Sequence, residues 1–223
     1  MIDLGLFRNP LFSINLATGF LAFISSAGTI LLMPYYLEDV RRYDPLIAGL
    51  LLAVVPASVA LVAPWAGSLS DRFGTRPLAA IGLGVLVLGY AAASTLHVDT
   101  GILGYILRFI PIGLGIGCFQ SPNNSAIMGA VPRERLGVAS GLLSLTRTLG
   151  QTVGIATVAA LWATRVAAHA SHAAVPEATG APAAFQVTAL NETLHVVVGL
   201  VAAALFLSLW ALWHEHRLRS ARR

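Results

Sequence analysis

Apolar stretches near 20 residues long follow one another along this chain, and the charges are confined to the short segments between them. Stretches of that length match the hydrocarbon core of a bilayer, about 30 Å thick, at 1.5 Å per helical residue. Six spans are predicted, at about 11–37, 45–67, 78–96, 102–130, 136–163 and 194–213. Residues 164–193, rich in Ala, Pro and small polar groups, read as a long outer loop, and 214–223 as a basic tail. Pro34, Pro56, Pro64, Pro111 and Pro122 lie within or near the spans, where neighbouring helices can satisfy the carbonyls they free. The predicted fold is an all-α integral membrane domain, a bundle of six transmembrane helices.

Polarity is unevenly shared among the spans. Span 1 carries Asn15, Thr18, Ser25 and Thr29 on one face with Ala22; span 4 carries Gly113, Gly117, Gln120 and Asn124. Span 5 carries Gly137, Ser140, Ser144, Arg147, Gln151 and Gly154 at steps of three and four, which is one helix face. Spans 3 and 6 are almost wholly apolar, and Ser58 is the only central polar group of span 2. Spans 1, 4 and 5 are therefore expected to line an interior or an aqueous cavity, with spans 3 and 6 facing lipid. The third member of each trio is the apolar one, as two inverted three-helix repeats require. The pairs Gly113/Gly117, Gly137/Gly141 and Gly150/Gly154 are read as packing motifs. Gly113, Gly115 and Gly117 follow no strand and are not a nucleotide loop.

Composition agrees. Of 223 residues 57% are hydrophobic and 11% charged, too few charges to cover a soluble surface. The single cysteine, Cys118, excludes a disulfide within the chain. The basic pI near 9.8 sets topology rather than nucleic-acid binding. With both termini cytoplasmic, the inner segments hold Arg8, Arg72, Arg76, Arg133, Arg135, Arg217, Arg219, Arg222 and Arg223, against Arg41, Arg42 and Arg165 outside. That is the positive-inside pattern of a multi-pass protein of the plasma (inner) membrane. Tyr35, Tyr36, Trp65, Trp162, Trp210 and Trp213 fall near the expected interfaces.

Two arginines lie inside spans. Arg108 is shallow enough to snorkel to the outer headgroups. Arg147 sits roughly 16 Å into its helix, at the midplane, where insertion costs about 2.5–3.5 kcal/mol. A role in substrate binding or conformational coupling is expected for it, with a structural tie as the other reading. All ten acidic residues fall in loops or at span ends. Partners for Arg147 within the chain are therefore neutral (Gln120, Asn123, Asn124 or water), or the counter-charge belongs to another unit. His169, His172, His214 and His216 make at most a weak metal site, and no cofactor or metal is expected. Asn191-Glu192-Thr193 fits the short glycosylation pattern, which also arises by chance.

The inner segment Gly67-Ser68-Leu69-Ser70-Asp71-Arg72-Phe73-Gly74-Thr75-Arg76 reads as a tight turn in which Gly74 takes a positive φ. Asp71 can pair with Arg72 or Arg76, or sit at a helix N-terminus, so the turn is a candidate latch. Its Gly67, Asp71, Arg72, Gly74 and Arg76 resemble the loop between the second and third helices of a major facilitator superfamily half. The run from Gly137 to Gly150, with Ser144 and Arg147, resembles the penultimate helix of fourteen-spanner drug:proton antiporters of the EmrB/QacA type. Leu6-Phe7-Arg8-Asn9-Pro10-Leu11-Phe12-Ser13 resembles the lead-in to the first helix of their C-terminal half.

This resemblance implies a rocking exchanger with its site between two helical halves, of which this chain matches the C-terminal one. Arg147, Gln151, Ser144, Gln120, Asn124 and Asn15 are then the expected cavity residues, and Gly67, Asp71, Arg72, Gly74 and Arg76 the cytoplasmic latch. The implied partners are the bilayer, protons, a small hydrophobic or amphiphilic substrate, and an N-terminal half of six or eight helices or a second copy. Two rivals remain at this point. One is a homodimeric six-helix channel or small-solute carrier; the other is an intramembrane enzyme built around His195.

Overall fold

A computed structural model describes residues 4–170 and 178–220. His172, Asp3, Glu177, Arg222 and Arg223, and the side chains of Glu215, His216, Arg217 and Arg219, lie outside the described residues. After a 3-10 turn, Leu4–Arg8, α1 runs Pro10–Tyr35 and passes into a π turn, Tyr36–Val40. There follow α2 (Pro45–Leu52), α3 (Val54–Phe73), α4 (Thr75–Ala93), α5 (Ile102–Gly129), α6 (Leu136–His169) and α7 (Ala183–Ser220). No strand occurs among the described residues. α2 and α3 together are the second span. They bend at Ala53, one turn before Pro56, which has no N–H to offer the carbonyl of Leu52.

The result is the expected six-helix bundle. Five of its members are long and apolar enough to cross a membrane: Pro10–Val40, Pro45–Phe73, Thr75–Ala93, Ile102–Gly129 and Ala183–His214. α6 is 34 residues long, and Ser144, Arg147, Thr148, Gln151 and Thr152 lower its apolarity. The helix with the poorest claim to lipid is thus the one carrying the polar stripe.

Local chemistry explains the helix starts. Asn9 caps α1, its Oδ1 accepting from the Leu11 N–H at 3.0 Å, and Pro10 occupies the first helical position. Asn9 Nδ2 also donates to the Ala130 carbonyl at 2.9 Å, joining the start of α1 to the end of α5. Asn9→Ala is expected to cost about 2 kcal/mol, one part from the cap and one from the bridge. A detergent melting curve should show this as a drop of roughly 4–8 °C in Tm.

Glycines set the seams. A Cβ on Gly154 of α6 would lie 2.3 Å from the Ile24 carbonyl of α1. One on Gly117 of α5 would meet Val62 of α3 at 2.2 Å, and one on Gly82 of α4 the Phe119 amide of α5 at 2.6 Å. Such approach is available only to small residues. Exchanging the two trios maps the α1–α6 seam onto α5–α3, and both are lined by a Gly-x3-Gly pair. Gly113/Gly117 and Gly150/Gly154 therefore pack as expected. Gly137/Gly141 does not: a Cβ on either meets nothing within 4 Å, because both lie on the exposed face of α6.

Two expectations need correction. α4 was expected at the lipid-facing periphery, yet 50% of its membrane window is buried against 17% for the second span. Its Gly82 and Gly89 bring the α5 backbone onto one side, and Ile81 and Leu88 point outward from the other. Apolar side chains suit lipid and a packed neighbour equally, so apolarity alone does not separate the two. α7 does show a largely open apolar surface, with Val196, Phe206 and Leu209 exposed. The segment 164–193 also carries helix at both ends: α6 continues to His169 and α7 begins at Ala183, just after Pro182. The Ala-rich composition that reads as loop is equally a strong helix former.

The end of the bundle at the α4–α5 turn is stitched by polar contacts. The Tyr36 hydroxyl donates to the His97 carbonyl at 2.7 Å, and the Arg41 guanidinium to the Val98 carbonyl. Asn191 Nδ2 donates to the Leu96 carbonyl at 2.8 Å. Asn191 is thus half-buried and already engaged, which argues against its use as a glycosylation site. Glu192 accepts from Arg165 at 3.3 Å and lies 3.0 Å from His169, tying α6 to α7. Among the described residues no group of His, Cys, Asp and Glu is arranged to hold a metal ion.

Candidate functional site

A cavity of about 510 Å³ opens between α1, the bent second span, α4 and α5, with α6 at its edge. The bend places Leu52, Val55, Pro56 and Val59 along one wall. Phe23 and Met33 of α1, Tyr90 of α4, and Tyr105, Phe109 and Phe119 of α5 supply its aromatic and thioether side chains. Gln120 and Gln151 add two carboxamides, and Ser26 and Thr29 two hydroxyls. Among the described residues no Asp, Glu, Lys, Arg or His lines it.

Of the residues singled out from sequence, Gln120 and Gln151 line this cavity; Arg147, Ser144, Asn124 and Asn15 do not. The reason is the rotation of α6. Its buried face is Ala139, Leu142, Leu143, Gly150, Gly154 and Val158, pressed against neighbours. Ser140, Ser144, Arg147, Thr148 and Gln151 lie on the exposed face. Gly154, counted with the polar stripe, belongs to the seam instead. Arg147 meets none of Gln120, Asn123 and Asn124; its guanidinium carbon lies 5.4 Å from the centre of the Phe23 ring. Phe23 is a wall of the cavity, so the cation stacks on that wall from the open side.

The amides of α1 and α5 form a separate node. Thr18 and Asn123 are buried, and the Thr18 hydroxyl lies 3.0 Å from the Asn15 carbonyl and 3.5 Å from Asn123 Oδ1. Asn15 Nδ2 and Asn124 Oδ1 are buried without a hydrogen-bond partner in the protein. The polar face of α1 is therefore mostly interior packing: Thr18, Ala22, Ser25 and Thr29 are all buried, and Ala22 and Thr29 reach the cavity. Arg108 turns back along its helix, donating to the Gly104 carbonyl at 2.9 Å and the Thr95 hydroxyl at 3.0 Å. That is the snorkelling geometry.

The turn at the opposite end is as tight as expected. Gly74 has φ +92°, and its N–H closes α3 on the Ser70 carbonyl at 2.9 Å. Asp71 and Arg72 are exposed on the last turn of α3, while Arg76 is half-buried on the first turn of α4 and Gly67 half-buried one turn earlier. Asp71 thus stands at the negative end of its own helix, where the dipole disfavours an anion.

Sequence reading missed the aromatic lining. Polar stripes were the signal sought, and Tyr90, Tyr105 and Phe109 belong to stretches that read as lipid-facing or plain core. The usable signal was the phenols: Tyr90 and Tyr105 are polar-tipped residues inside spans, and both are buried.

Comparison with known proteins agrees with this architecture. Residues 4–155 match the family model described as Major Facilitator Superfamily. The riboflavin transporter RibZ of Clostridioides difficile (strain 630) is 32% identical over 155 residues, covering 70% of this chain and 34% of the relative. The uncharacterized transporter YebQ of Escherichia coli (strain K12) is 36% identical over 159 residues, covering 71% and 35%. The multidrug resistance protein Stp of Mycobacterium tuberculosis (strain ATCC 25618 / H37Rv) is 33% identical over 171 residues, covering 73% and 30%. The chain spans about a third of the length of these curated relatives. With a family match over most of its length, a six-helix bundle and the turn built on Asp71, Arg72 and Gly74, this chain belongs to the Major Facilitator Superfamily.

Proposed function

We propose that this unit is the C-terminal half of a multidrug-type efflux permease. It moves a small hydrophobic or amphiphilic substrate in exchange for protons, working against an N-terminal half of six or eight helices. The observation that carries this reading is Arg147: a charge about a third of the way along α6, on an open face, stacked against the wall of a drug-sized cavity. A guanidinium at that depth requires water or a polar partner beside it, and a second helical unit enclosing an aqueous path provides both. Similarity to a protein named for multidrug resistance supports efflux, while similarity to one named for riboflavin supports transport in general. In this reading the proton-carrying acid belongs to the other half, since no carboxylate lines the cavity.

Substrate enters the cavity between α1 and the second span, and Gln120, Gln151, Ser144 and Arg147 form its polar margin. Asn15 and Asn124 lie below it as the α1–α5 node. Asp71, Arg72 and Arg76 latch the cytoplasmic side: Asp71 leaves an unfavourable helix end to pair with a group of the facing half in one conformation only. The protein resides in the plasma membrane with both termini cytoplasmic. The helix order supports this, placing Arg8, Arg72, Arg76, Arg133 and Arg135 at one end of the bundle and Arg41, Arg42 and Arg165 at the other. No catalytic role is assigned. His195 is exposed, with its Nδ1 2.6 Å from the Asn191 carbonyl one turn back.

Dye efflux from everted vesicles tests the reading. An imposed pH gradient is expected to drive dye movement when the chain is joined to a facilitator N-terminal half, and Gln151→Ala is expected to reduce it. Gradient-independent flux through a stable symmetric dimer of this chain alone would instead support a homodimeric channel or carrier.

A further inference from the structure

Resting on the reading of the cavity as the substrate site, we propose that it takes an uncharged, flat aromatic ligand bearing a hydrogen-bonding group at its edge. Cations of the same shape are disfavoured. Three independent features lead there.

The first is charge. Every side chain lining the cavity is neutral at pH 7. A cation entering from water would lose its hydration and find no counter-ion among the residues of this chain that line it. The charges carried by α5 and α6 beside it are themselves positive. Arg147 lies against the outer side of Phe23, and Arg108 is turned to Gly104 and Thr95.

The second is shape. Tyr105 and Phe109 are stacked with ring centres 4.1 Å apart and planes 13° from parallel, and both are buried. The α5 wall extends from Tyr105 to Gln120, about 22 Å of helix, in a cavity of about 510 Å³. A long space lined by aromatic side chains suits a planar ring system, which gains from offset or edge-to-face contact with them.

The third is a polar edge. Tyr90 is wholly buried, and the side chains its hydroxyl can bond within the protein are Ser26 and Thr29. Both of those hydroxyls donate elsewhere, Ser26 to the Ala22 carbonyl at 2.9 Å and Thr29 to the Ser25 carbonyl at 2.8 Å, so toward Tyr90 they act only as acceptors. A hydrogen-bonding group at the ligand's edge can use the lone pairs Tyr90 keeps free or compete for its proton. Gln120 and Gln151 offer donors and acceptors to other edges of the ring system.

Acridone and N-methylacridinium separate the claim from its alternatives: both are planar tricycles, one neutral with a carbonyl acceptor and one permanently cationic. Binding to the full chain in nanodiscs is read by fluorescence against empty nanodiscs. Acridone is expected to bind at least about tenfold more tightly than N-methylacridinium. Tyr90→Phe, which keeps the ring, is expected to weaken acridone about 2- to 10-fold. Ala60→Trp, which fills the cavity from its exposed rim, is expected to abolish acridone binding; circular dichroism confirms that both variants fold. Tighter binding of N-methylacridinium overturns the proposal, as does acridone binding that neither variant alters, or no binding of either probe. Proton-driven export by a chain that prefers the cation would leave the transport reading standing and remove only this one.

Discussion

Replacing Arg147 by alanine is expected to abolish proton-driven export, by at least about 10- to 100-fold, while the protein still inserts and folds. The two effects separate because of where the side chain sits. Arg147 is on the exposed face of α6, and its contact is the Phe23 ring at 5.4 Å. Losing an exposed cation–π contact costs about 0.5–1 kcal/mol, which moves Tm by only roughly 1–4 °C. Losing a charge-assisted hydrogen bond to substrate or to the facing unit costs about 1.5–3 kcal/mol, and that loss falls on transport alone. Arg147→Lys keeps the charge but not the flat stacking surface, so partial activity is expected. Wild-type export by Arg147→Ala would remove the functional reading of this residue.

The largest structural effect is expected at the α1–α6 seam. Gly154→Val places a Cβ 2.3 Å from the Ile24 carbonyl oxygen and 2.7 Å from Ile24 Cα. These are backbone atoms and cannot swing away as a side-chain tip would. Across the seam Gly28 is equally tight, a Cβ there meeting Val158 at 2.4 Å. The helices must move apart, at a cost of about 3 kcal/mol or more. A melting curve in detergent should fall by roughly 6–12 °C, and the protein should be poorly recovered from membranes. Gly141→Val is the matched control. Nothing lies within 4 Å of its Cβ position, so the isolated chain should melt as wild type. In a transporter assembled with its other half, the same change is expected to impair export if that face docks closely.

These two glycines show how far the sequence could be read. A Gly-x3-Gly pair marks a helix that can approach another closely, and Gly150/Gly154 and Gly137/Gly141 are alike in that respect. Only the first pair meets a neighbour within the chain, because helix rotation is set by the whole bundle rather than by the motif. The same ambiguity governs α4. Its apolar surface predicted lipid, whereas Gly82 and Gly89 turn it into a central packing element. The six-helix fold and the tight turn at Gly74 were legible because span length and positive φ are local properties. The cavity was half legible. Gln120 and Gln151 were found through their polarity, but Tyr90, Tyr105 and Phe109 converge from two helices, and that convergence is a tertiary fact. The helical start of α7 was hidden because Ala-rich sequence reads as loop or helix according to what it packs against. There Gln186 is buried, donating to the Thr179 and Ala181 carbonyls, and its own carbonyl accepts from Trp162 Nε1.

The polar face of α6 is the surface on which the functional account stands: a water-lined face in the assembled transporter, not a lipid-facing one. Single cysteines in a Cys118→Ser background measure this through their reaction with a water-soluble thiol reagent in intact membranes. Ser144→Cys is expected to react readily, at a rate within about tenfold of a cysteine placed in the exposed inner turn, while Leu88→Cys on the outer side of α4 stays unreactive. An unreactive Ser144→Cys beside a reactive Leu88→Cys would contradict the account.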